Sequence, residues 1–114
     1  MITLWHNPRC SKSRQTLALI QNAGGPVTIR KYLEDAPSAA EINDALRALG
    51  GIGAIDMMRT GEKMFRELGL SRSDSPEILI AAMAAHPILI ERPIAFGRGR
   101  AVIGRPPENV KDLV

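Results

Sequence analysis

The single cysteine of this chain stands among residues that would make it reactive. It lies in Ile2-Thr3-Leu4-Trp5-His6-Asn7-Pro8-Arg9-Cys10-Ser11-Lys12-Ser13-Arg14, where an apolar run ends at Trp5, Asn7-Pro8 breaks it, and an apolar-periodic segment follows. That order predicts strand, turn and helix, with Cys10 at the helix start. Free backbone N–H groups and their partial positive charge favour a thiolate there. Arg9, Lys12 and Arg14 add positive charge. Such surroundings bring a cysteine pKa from about 8.5 down to roughly 3.5–7.5. A lone cysteine is commonly a small buried hydrophobe, but that kind of site does not carry a run of cationic and hydroxyl neighbours. Cys10 reads as a nucleophile. Ser13 completes a C-x-x-S pair with it. A second cysteine at that spacing would resolve a mixed disulfide, whereas a serine hydroxyl can only donate a hydrogen bond to the thiolate. An outside thiol must therefore complete the chemistry.

Three arginines stand out by context. Arg59 falls between Met57-Met58 and Thr60-Gly61, Arg92 precedes Pro93, and Arg105 precedes Pro106-Pro107. Each marks an element boundary, and a residue before proline is held extended. The planar guanidinium fork suits a tetrahedral oxyanion such as phosphate or arsenate. Beside a reactive cysteine, the three point to an oxyanion pocket. His6, Cys10 and His86 do not have the spacing of a zinc site, so no metal is expected.

The elements that must position these residues follow from periodicity. Ile2 to Trp5 reads as a buried strand, and the helix after Cys10, capped by Ser11 or Ser13, stops at Gly24-Gly25-Pro26. Val27 to Tyr32 reads as a second strand, parallel to the first through a βαβ unit. Ser38 and Glu41 form a capping-box pattern ahead of Ile42, Ala45, Leu46 and Leu49. Further helical pieces are expected over 53–58, near 61–68, and from Pro76 with Ser75 as cap, up to His86-Pro87. Ile88-Leu89-Ile90 and Ile94-Ala95-Phe96 read as strand-like, and Gly97-Arg98-Gly99 as a hairpin turn into the strand Arg100–Gly104. A terminal helix is expected over 109–113. The whole is an α/β layer with a four-stranded mixed sheet and a helical insert.

Composition bounds the rest. The 114 residues suit one domain, apolar residues make up 45% and charged residues 24%, and both fractions are ordinary for a globular protein. One cysteine excludes an internal disulfide, and neither a secretory signal nor a membrane-length apolar run is visible, so a cytoplasmic protein is expected. Fifteen basic against twelve acidic residues, with four aromatics, is no nucleic-acid-binding excess.

Several segments together resemble the glutaredoxin-dependent arsenate reductase (ArsC) family: His6 to Arg14, Tyr32-Leu33-Glu34, Arg59, His86 to Ile94, and Gly104-Arg105-Pro106-Pro107-Glu108. The resemblance runs through nearly the whole chain in order and spacing, and the chain stops soon after Glu108 as short chromosomally encoded members do. It implies a thioredoxin-like fold with a helical insertion and a cis peptide before Pro93. It implies that Cys10 attacks arsenate and that Arg59, Arg92 and Arg105 bind the oxyanion. His6 would help set the thiol's ionisation, while Ser13 and Arg14 would stabilise the thiolate. Glutathione would be a co-substrate and glutaredoxin the protein partner, with no bound cofactor, nucleic acid or membrane. Rival readings on related folds fit less well. Spx-type regulators carry C-x-x-C, and monothiol glutaredoxins lack a long helical block. Cysteine phosphatases need C-x5-R, where Thr16 stands here.

Overall fold

A computed structural model describes residues 1–114. Its sheet has four strands, β1 (Ile2–Trp5), β2 (Val27–Arg30), β3 (Ile94–Gly97) and β4 (Arg100–Ile103), in the order β2-β1-β3-β4. β1 pairs parallel with β2 and antiparallel with β3, and β3 pairs antiparallel with β4. This is the mixed sheet of a thioredoxin-like fold. The β1–β2 connection is helix α1 (Ser11–Asn22), as the βαβ reading requires. The β3–β4 connection is a two-residue turn with Arg98 and Gly99 both at positive φ, the geometry that suits the strand twist.

Between β2 and β3 lies the helical insert: α2 (Ala39–Ala48), a 3-10 turn Ala54–Met57, α3 (Lys63–Glu67) and α4 (Pro76–Ala85). The Ser38–Glu41 capping box is present in both directions, and Ser75 caps α4 ahead of Pro76. Two expectations fail. Pro87–Leu89 is a 3-10 turn, and of the predicted strand-like segment only Ile90 makes a bridge, to Met58. Proline at the first position of that segment favours a turn start over a sheet ladder. The terminal helix is 3-10 over Pro107–Leu113.

Side chains alternate across the strands, as the period of two demands. Ile2, Leu4 and Ala95 join Ile20, Val110 and Leu113 in a core between the sheet, α1 and the terminal 3-10 segment. Trp5, Ile94 and Ala101 face the larger core, with Ile42, Leu46, Met57, Leu79, Met83 and Leu89 from the insert. Phe96 is half-buried on that side, its ring 4.9 Å from that of Trp5. The insert thus covers one sheet face, while β1 delivers the Cys10 turn at the sheet's end.

Gly104 closes the other half of the site. Its N–H donates to the Pro93 carbonyl at 2.9 Å. A Cβ there would lie 2.7 Å from Thr16 Oγ1 and 2.8 Å from Pro93 Cγ. Gly104→Ala is therefore expected to destabilise the protein by about 1–3 kcal/mol through overpacking, read as a lowered thermal midpoint; an unchanged midpoint would show that the contact yields freely.

Candidate active site

Cys10 itself is the N-cap residue of α1, with φ −94° and ψ 123°, in place of the expected Ser11 or Ser13. The turn before it is closed by its own N–H donating to the Asn7 carbonyl at 3.0 Å, and by the Arg9 N–H donating to Asn7 Oδ1 at 3.0 Å. The sulfur forms no short capping bond, yet it faces the Lys12 and Ser13 N–H groups. Burial pushes the thiol up, but the Ser13 N–H, the Arg92 guanidinium and the Lys12 N–H outweigh it, and the pKa is lowered. The largest lowering contributions come from the helix start and from an arginine distant in sequence.

The structure brings Arg92 and Arg105 to Cys10. The Arg92–Pro93 and Arg105–Pro106 peptides are both cis. Arg105 Nη2 lies 3.7 Å from Cys10 Sγ, while its Nε donates to the Arg92 carbonyl at 2.8 Å and approaches Glu91 Oε1 at 3.2 Å. Arg105 is ion-paired with Glu91, and Arg92 is the cation that lowers the thiol pKa. Arg92 Nε is buried and has no hydrogen-bond partner, so this side chain keeps an unused donor.

Arg59 stands at the margin. It is paired with Glu62 at 2.6 Å and lines a shallow cleft with Thr60, Glu91 and Arg105. Arg59, Arg92 and Cys10 all act electrostatically on Tyr32, which burial raises to about 12 despite the two arginines. Tyr32 is thus a neutral, buried residue at the centre of the group. Neither its role nor that of Glu91 follows from residue type; the signal for Tyr32 was its place just past β2, whose Arg30 pairs with Trp5.

His6, Ser13 and Arg14 support the turn and do not touch the sulfur with their side chains. Ser13 Oγ lies 2.7 Å from His6 Nδ1 and accepts the Asn7 N–H at 3.0 Å. The fully buried hydroxyl is engaged by His6 and Asn7, and the Ser13 N–H lowers the thiol pKa. Burial, Lys31 and Arg14 lower the His6 pKa, which keeps the ring neutral at pH 7. Arg14 Nη1 donates to the Pro8 carbonyl at 2.9 Å and clamps the turn.

The rate of Cys10 alkylation by a neutral reagent is expected to titrate with a midpoint below the value of about 8.5 of a free cysteine. A midpoint at that value would contradict the site. The linked effect has a definite sign. The native state holds the thiolate where the unfolded chain is still protonated, so stability rises with pH from the native midpoint to about 8.5 and is lost as pH falls through that midpoint.

A thioredoxin-like sheet thus carries one thiol at a helix start, with the Arg92 and Arg105 guanidinium groups acting on it. The ArsC family model matches residues 5–113. An arsenate reductase of Neisseria meningitidis is 42% identical over 99% of this chain and 97% of its own, and the uncharacterized protein YfgD of Escherichia coli K12 is 46% identical over 99% and 96%. The solved structure of an arsenate reductase from Vibrio cholerae has a TM-score of 0.95 at 46% identity, covering 99% of this chain and 97% of its own. The chain belongs to the ArsC family.

Proposed function

We propose that this protein reduces arsenate to arsenite through Cys10, with glutathione and glutaredoxin as the external thiols. The observation that carries the reading is the Cys10 sulfur at the start of α1, with the Arg105 guanidinium 3.7 Å away and the Arg92 guanidinium, its Nε unpartnered, acting on the thiol. Its relatives named arsenate reductase support the substrate.

Arg92 and Arg105 neutralise a bound arsenate dianion, with Arg59 at the edge of the pocket. The Cys10 thiolate displaces an oxygen, which leaves as water after protonation, and forms a sulfur–arsenic(V) bond. A glutathione thiolate then attacks the Cys10 sulfur. A sulfur–sulfur bond forms, the sulfur–arsenic bond breaks, and its electron pair reduces arsenic to As(III), released as arsenite. Ser13 offers no second thiol, so glutaredoxin removes the glutathione and restores Cys10. A moderately lowered thiol pKa serves this sequence best, since nucleophilicity falls with pKa. The chemistry requires a reducing compartment such as the cytoplasm.

The test is NADPH consumption coupled through glutathione reductase, glutathione and glutaredoxin. Arsenate-dependent consumption that needs both thiol components supports the reading. A folded protein giving none would overturn it.

A further inference from the structure

Two of the three arginines of the site are already held by carboxylates. Arg59 Nη1 donates to Glu62 Oε2 at 2.6 Å, and Arg105 Nε lies 3.2 Å from Glu91 Oε1. Arg92 belongs to none of the ion pairs. Both paired arginines and both carboxylates line one cleft of about 320 Å³, and Nη2 of the same Arg105 reaches Cys10 Sγ at 3.7 Å. The side chains of Glu62 and Glu91 are only 22% and 25% exposed, so water and salt screen these pairs less than they would a surface pair. Glu91 and Arg105 also line a second cleft, of about 550 Å³, toward β4 and the terminal 3-10 segment. Glu91 therefore borders open space beyond the site.

The empty site thus sets two internal anions against three cations, and Arg92 alone is left uncompensated. A doubly charged tetrahedral oxyanion calls for more positive charge than one guanidinium supplies. It gains that charge by taking guanidinium donors from the carboxylates, since an N–H that serves Glu62 or Glu91 does not serve the substrate. We propose that Glu62 and Glu91 are internal counter-anions, displaced from Arg59 and Arg105 by the incoming oxyanion, and that they thereby set the affinity of the site. The inference rests on the oxyanion reading above and adds to its three arginines two residues that oppose binding.

The test is protection of Cys10 from alkylation by iodoacetamide, with inorganic phosphate as the probe, so it needs no turnover. The ratio of rates with and without phosphate gives a dissociation constant in each variant, whatever the intrinsic reactivity of its thiol. Glu91→Gln and Glu62→Gln each keep an oxygen acceptor for the arginine and remove the charge. Each is expected to tighten phosphate binding by about tenfold. Glu77→Gln, exposed in the first turn of α4, removes the same charge elsewhere and should change the constant little. Unchanged or weaker binding in either site variant would show that its carboxylate stays in place, and would overturn the proposal. So would an equal gain from Glu77→Gln, which would mark a general effect of net charge. Phosphate that protects neither the wild type nor any variant would remove the oxyanion pocket itself, and the proposal with it.

Discussion

Cys10→Ser is expected to reduce arsenate-dependent turnover by at least about 10³-fold, to the rate of the uncatalysed reaction, while raising thermal stability at a pH below the Cys10 midpoint, where the native state gains nothing from the thiolate. The loss follows because a serine hydroxyl does not ionise at neutral pH and cannot form the mixed disulfide. The gain follows from the cap. Cys10 occupies the N-cap of α1 without a side-chain capping bond, and serine is among the best residues there, worth up to about 1 kcal/mol over a non-capping side chain. Opposite signs in the two readouts mark a position held for chemistry at a cost to stability. The coupled assay and a thermal melt on the same preparation check both. Residual turnover in the variant would remove Cys10 from the reaction.

Arg92→Ala is expected to lower kcat/KM for arsenate by about 10²-fold with little change in thermal midpoint. Its Nε is buried and unpartnered, so truncation costs the fold no hydrogen bond at that atom. The oxyanion loses a charged donor, and the thiol loses the cation that holds its pKa down. The alkylation midpoint of Cys10 should therefore move up in the same variant. Arg105→Ala separates the two contributions. It removes the bond to the Arg92 carbonyl and leaves Glu91 uncompensated beside the site, so it should lose stability as well as activity. A large fall in thermal midpoint for Arg92→Ala with unchanged arsenate affinity would assign that arginine to structure.

What could be read before folding was local. The apolar run of Ile2–Trp5 and the capping box at Ser38–Glu41 depend on neighbours a few residues apart, and both are realised. The place of Cys10 at a helix start follows from the Asn7-Pro8 break in the same way. Its partners were less legible. Arg105 reaches Cys10 from 95 residues away, a contact that no spacing encodes; its place before Pro106 and the family resemblance marked it only as a candidate. The adjacent Arg14 turns to the Pro8 carbonyl, while the remote Arg92 acts on the thiol. The Ser13 hydroxyl is drawn off by His6 because both are buried together, and burial is a tertiary property. The Pro87–Leu89 turn shows the other limit. Its apolar run fits strand or buried turn equally, and Pro87 decides it.

The measurement that tests the central claim most directly is a single turnover with arsenate and glutathione in the absence of glutaredoxin, following arsenite release and the intact mass of the protein. The account predicts one arsenite and one Cys10–glutathione disulfide per chain, formed together. Folded protein with a titrating Cys10 thiol that yields neither would contradict it.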